Sequence, residues 1–269
     1  MKEFSFNRMG KVLAWYLKVN WKWLAIWTLG ALLGIYLLQM FFAATFATQM
    51  KTAFILEMLV AISSFAIMVV LFVMFAQIFE RIKTKQKAIS FLMLPATNAE
   101  KYTVLMLVIT VVFPLCMLLA FMLGDTLRGL SITLFTGEEF LSGIPVLPRV
   151  YGNGILESIH HFKGLMMACF VVISFIWLHS LYVWGGSVFR KNAFGIITLF
   201  FLLLEALVKY SYKYFWGDLL VINQDGGATF SITGYLLMVI MIVWACYNYR
   251  SSYRIFTRLQ VINNKRTNL

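Results

Sequence analysis

Apolar residues in this chain come in long unbroken runs rather than in alternation. Six runs, at 23–46, 53–78, 102–123, 165–188, 194–214 and 230–247, carry few charges. Each is long enough to cross about 30 Å of hydrocarbon as a helix, and none shows the two-residue period of a barrel strand. Ahead of the first run, Met9, Val12, Tyr16, Val19 and Trp23 recur at helical spacing, with Lys11, Lys18 and Lys22 on the other side and Arg8 near them. That pattern predicts a basic amphipathic helix over 1–22, lying along the membrane surface with its cations toward headgroups. No small-residue cleavage site follows the first apolar stretch, so this segment does not read as a cleavable signal. Lys51 marks a turn between the first two runs, and Arg190, Lys191 and Asn192 mark one between the fourth and fifth. The expected fold is all-α and integral to a membrane. It has an N-terminal interfacial helix, then six transmembrane helices within 23–248, and a basic tail at 249–269. A loop at 79–101 and a longer extracytoplasmic segment at 124–163 connect spans.

Composition removes the soluble alternatives. Of 269 residues, 61% are hydrophobic and 13% charged, and mean hydropathy is +0.83; soluble domains run near 45–50% apolar and about 25% charged. Disorder needs the opposite balance. There are 23 Lys and Arg against 11 Asp and Glu, a net charge of +12. With the N-terminus inside, 17 of these cations fall on the cytoplasmic side of the six-span layout and 6 on the other. The positive-inside rule therefore puts both termini in the cytoplasm, and it accounts for the basic balance without a nucleic-acid partner. Trp21, Trp23 and Trp27 mark one interface, and Tyr210, Tyr212, Tyr214 and Trp216 the opposite one. Cys116, Cys169 and Cys246 sit in apolar runs without ligand spacing and read as small buried hydrophobes.

The loop between the second and third spans has the most distinctive chemistry. Arg81, Lys83, Lys85 and Lys87 precede an apolar patch (Ile89, Phe91, Leu92, Met93, Leu94), then Pro95-Ala96-Thr97-Asn98. Pro95 ends a helix near Leu94; Thr97 or Asn98 can cap the next, with Glu100 in its first turn favouring the helix dipole. An apolar patch flanked by cations can dock a partner or rest on lipid, and composition leaves both open. The segment Leu94-Pro95-Ala96-Thr97-Asn98-Ala99-Glu100-Lys101, the basic helix before the first span and the six-span layout with both ends inside resemble the membrane subunits of ATP-binding-cassette type-2 exporters. The short loops make a bacterial inner membrane the expected location, and the resemblance implies a permease. It would pair as a homo- or heterodimer, with a separate cytoplasmic ATPase gripping the loop through Phe91, Leu92, Leu94, Pro95, Thr97, Asn98 and Glu100. The chain has no GxxxxGK[ST] stretch, so ATP and magnesium would belong to that partner and no cofactor to this chain. The alternative is a non-transporting accessory or signalling subunit that uses the same loop for docking.

Ionisable residues inside apolar runs are the remaining candidates. Glu205 and Lys209 are spaced i,i+4 and read first as a mutually neutralised pair near the outer interface, and otherwise as part of a polar path. His179 reads first as a hydrogen-bonded packing residue and otherwise as a proton carrier or ligand, and Glu57 first as an interfacial carboxylate. An intramembrane polar path would comprise Glu205, Lys209, His179 and Glu57. His160 and His161 point apart on a helix, and with Glu157 make only a weak metal motif, so no metal site is assigned. Glu138-Glu139 lacks the following Arg of CAAX-type proteases and lies outside the predicted bilayer. Gly185-Gly186-Ser187 reads as close helix packing rather than a serine-protease motif. No enzyme is expected in this chain.

Overall fold

The computed structural model describes residues 4–46, 52–82, 85–137, 139–148, 150, 162–189, 191–211, 220–222, 228–230 and 232–258. These form eight α-helices: α1 (Phe6–Phe46), α2 (Thr52–Phe75), α3 (Lys85–Leu92), α4 (Asn98–Leu107), α5 (Phe113–Thr136), α6 (Phe162–Val188), α7 (Ala193–Ser211) and α8 (Ile232–Thr257). A short antiparallel pair, β1 (Leu220–Ile222) and β2 (Ala228–Phe230), sets Leu220 opposite Phe230. Among the described residues, four helices are long and apolar enough to cross a membrane: Phe6–Phe46, Thr52–Phe75, Asn98–Thr136 and Ala168–Val188. A shorter apolar stretch covers Ala193–Leu207. The architecture is that of a helical membrane protein.

Three helix ends differ from the hydropathy reading. α1 runs without a break through Trp23, so the basic segment and the first span are one helix of 41 residues, about 60 Å at 1.5 Å per residue. No Pro or Gly pair interrupts it, and Val12, Tyr16 and Asn20 are buried along one face, while Val19 is exposed. The third span also continues past Leu123, to Thr136. Pro114 should break it, but the ladder widens to a π turn over Val108–Val112 and resumes at Phe113, which accommodates a residue lacking an N–H. Gly137, at φ 72°, ends it with its N–H on the Thr133 carbonyl, a left-handed C-terminal cap. Leu134 and Phe135 keep its outer face apolar to the end. Finally, α8 extends to Thr257, so the basic tail begins as helix.

The chain divides into two compact units, one of Met1–Leu71 with Met106–Leu156, the other of Phe72–Leu105 with Glu157–Leu269. In the first, α1 packs along α5. Trp23 stacks on Phe113 with ring centroids 5.9 Å apart, and Gly124 brings α5 against Leu32 and Ile35. Ile35, Val60 and Phe121 form a core covered by Ile144, Val146 and Leu147. In the second, α6 packs along α8 and α7. The turn between α6 and α7 has Asn192 at φ 55°, a left-handed conformation that Asn tolerates.

Glycine contacts separate positions that need a missing side chain from those that do not. A Cβ on Gly186 would lie 2.3 Å from the Ala76 carbonyl oxygen, whereas one on Gly30 would meet nothing within 4 Å. Gly186→Ala should lower stability by about 1–3 kcal/mol through overpacking, and Gly30→Ala should change it by less than about 0.5 kcal/mol. Thermal unfolding midpoints in detergent check the contrast; equal effects would contradict this packing.

Candidate functional site

The segment between α3 and α4 is built almost entirely from local hydrogen bonds. Thr97 caps α4: its hydroxyl accepts the Glu100 N–H at 3.3 Å, and the Glu100 carboxylate accepts the Thr97 N–H at 2.8 Å. This reciprocal arrangement is a capping box, and it selects Thr97 over Asn98 as the cap. Pro95 sits in the middle of a tight turn in which the Ala96 N–H donates to the Leu94 carbonyl at 2.7 Å. Lys101 then reaches back, its Nζ donating to the Leu92 carbonyl at 2.6 Å. A cation on the last carbonyls of α3 is favoured by the helix dipole. Lys101 is buried, so it clasps two helices instead of serving as a free loop cation.

Exposure splits the expected docking residues. Phe91 is buried rather than presented at the surface; its ring lies 6.5 Å from that of Phe256. Phe256 also packs on Phe79 and Tyr102, each at 5.7 Å, so α3, α4 and the C-terminal part of α8 share one aromatic cluster. The reason is periodicity: on an eight-residue helix one apolar side chain can face inward while others face out. Glu100 is buried in its capping box, Leu92 and Leu94 are half-buried, and Pro95 and Asn98 are exposed. The apolar side chains that face outward are Ile89 and Met93, the latter 78% exposed.

A polar seam continues from this cluster along α6 and α8. The Tyr102 hydroxyl donates to Ser252 Oγ at 3.0 Å, and Ser252 also hydrogen-bonds Ser187. Trp184 Nε1 donates to Ser251 at 3.2 Å, Asn248 Nδ2 to Ser180 at 3.1 Å, and His179 Nδ1 shares a 2.7 Å hydrogen bond with the Tyr249 hydroxyl. The His179 ring also packs 4.3 Å from Phe75. Such bonds between membrane helices average about 0.6 kcal/mol; they fix the register of α6 on α8 more than they add stability. Glu205 is half-buried on α7, the side chain of Lys209 lies outside the described residues, and Glu57 is exposed near the start of α2. Glu57 belongs to the first unit and the other three to the second. Glu157, His160 and His161 fall outside the described residues, as does Glu138.

Sequence reasoning missed a buried ionic cluster in the first unit. Arg128, expected in an outer loop, lies on α5 and is 2% exposed; Asp125, one turn earlier, is 1% exposed. They pair at 3.0 Å through Arg128 Nη2 and Asp125 Oδ1. Arg128 Nε donates to Gln39 Oε1 at 3.2 Å and Nη2 to the Leu141 carbonyl at 2.9 Å. Gln39 in turn donates to Ser63 at 3.0 Å. Asp125 Oδ2 accepts from the Ser142 hydroxyl at 2.7 Å and from the Gly143 N–H at 2.9 Å. The pair thus joins α1, α2 and α5 to the segment after Gly137. The i,i+3 spacing of Asp125 and Arg128 was the available signal, hidden because the helix was expected to end at Leu123.

Two expectations follow. Arg128→Met should destabilise the protein by about 3–5 kcal/mol, since Asp125 is left charged and buried, while adding Asp125→Leu should recover part of the loss. Unfolding of both variants in detergent checks this; a double variant no better than the single one would contradict it. Thr97→Ala should cost about 1 kcal/mol and speed amide exchange at the start of α4, without altering α6. No family model, no curated protein and no solved structure matches this chain.

Proposed function

We propose that this chain is the membrane-spanning permease subunit of an ATP-driven exporter. It works in a bacterial inner membrane as a dimer, with six crossings and both termini cytoplasmic; α7 and α8 serve as the fifth and sixth. Mg-ATP is bound and turned over by a separate cytoplasmic ATPase subunit, and this chain is not itself an enzyme. The reading rests above all on the α3–Pro95–α4 element. A docking element that transmits force must be rigid, exposed on one side and anchored on the other. Here the capping box and the Lys101 clasp hold the turn, Phe91 anchors it on Phe256, and Ile89 and Met93 face outward. A neutral lipid-resting loop has no need of that rigidity. The basic balance of the chain and its apolar helices support the membrane setting.

Affinity purification from native membranes in mild detergent tests the reading. A stoichiometric subunit bearing a phosphate-loop motif should accompany the wild-type protein. Ile89→Glu and Met93→Glu, which touch only the exposed face, should each reduce its recovery about tenfold, equivalent to 1.4 kcal/mol of binding. Intact, folded protein that travels without any such ATPase would overturn it and favour an accessory subunit.

A further inference from the structure

We propose that the first unit seats an acyl chain of an anionic phospholipid in a groove along α1, with the headgroup held by Lys18 and Lys22. The groove has a volume of about 520 Å³ and lies between α1, α2 and α5. Ile26, Gly30, Gly34 and Leu38 line it from α1, with Ala66 of α2 and Met117 of α5 among the residues opposite. That volume falls within the range of ligand pockets, about 300–1,000 Å³, which ordinarily place a few polar groups to orient what they bind. Here no lining side chain is charged, and Trp27 alone carries a polar atom, so the matching occupant is hydrocarbon.

Lys18, Lys22, Ile26, Gly30, Gly34 and Leu38 are spaced four apart on α1, so they follow one another along a single ridge of the helix. The two lysines are exposed, and Trp21 beside them, 58% exposed, is a residue type that marks headgroup level. From Ile26 to Leu38 the groove follows about 18 Å of helix at 1.5 Å per residue. One leaflet's chains span a similar depth, about 15 Å or half of the hydrocarbon thickness. Glycine inside a helix is destabilising relative to alanine. Packing within the unit does not require it here, since a Cβ on Gly30 or Gly34 would meet nothing within 4 Å. The bare backbone instead deepens the groove for something outside the chain. A glycine ridge also suits a second helix, but copies in one membrane share an orientation. A two-fold contact through this ridge would therefore set Lys18 and Lys22 against their own counterparts. An anionic headgroup meets the same charges with the opposite sign. This inference is independent of the exporter reading.

The test uses the full-length protein. Washed free of lipid in neutral detergent, it is titrated with phosphatidylglycerol or with phosphatidylcholine of the same chains while the thermal midpoint is followed. Phosphatidylglycerol should raise the midpoint at about tenfold lower concentration than phosphatidylcholine, and Lys22→Gln, at an exposed position, should shrink that preference about fivefold. Gly30→Leu and Gly34→Leu fill the groove; each should weaken the response to both lipids about tenfold. A wild-type response that is absent or equal for the two lipids, or an undiminished one in a folded groove-filled variant, overturns the proposal. So does a disulfide-linked dimer formed by Gly30→Cys and not by the wild-type protein, which puts a second copy in the groove. If neither leucine variant folds, the wild-type comparison of the two lipids and Lys22→Gln decide.

Discussion

Hydrocarbon offers no hydrogen bonds, so polar groups carried on these apolar helices are stabilised by partners inside the protein, and among the described side chains the buried Trp177 indole nitrogen is the exception. That constraint organises both units. In the first, a single arginine on α5 would be intolerable alone. Asp125, Gln39 and a backbone carbonyl surround it, and the carboxylate's second oxygen is consumed by Ser142 and Gly143. The result draws the segment after Gly137 back onto the helices. In the second unit, the same requirement is met by pairing serine, asparagine, histidine and tyrosine across α6 and α8.

Small residues let these polar contacts form. Gly129 and Gly143 leave room for Phe140 and Val60, and a Cβ at either would fall under 3 Å from those side chains. The chain therefore approaches Asp125 closely enough to donate from its backbone. Gly185 and Gly186 do the same on α6, against Ile197 and Ala76. Aromatic rings fill what remains: Phe256 gathers Phe79, Phe91 and Tyr102. A displacement of α3 would act on α8 directly through this contact, and Tyr102 carries it to Ser252 and Ser187. Linked side chains of this kind suit an element that receives force from a partner.

The existence of the long apolar helices was legible in hydropathy alone, because a run of that length has one economical structure in lipid. Their ends were less so. Gly124 and Arg128 look like loop residues, yet Gly124 serves close packing and Arg128 is neutralised by a residue one turn away. The continuity of α1 was hidden because a basic amphipathic pattern is the same whether the helix bends at the interface or runs on. Around the α3–α4 turn, the cap, the proline and the acidic first turn could be read from local chemistry. The burial of Phe91 and the Lys101 clasp could not, since both depend on which face of α3 meets α8 and α4.

On the proposed reading, the outward face of α3 would receive a cytoplasmic ATPase. A photo-reactive amino acid placed at Met93, which is 78% exposed, and activated in native membranes tests it most directly. The account predicts a cross-link to one protein bearing a phosphate-loop motif, lost when the reactive group is moved to buried Phe91. Cross-links to lipid alone from Met93, with the protein folded, would contradict it.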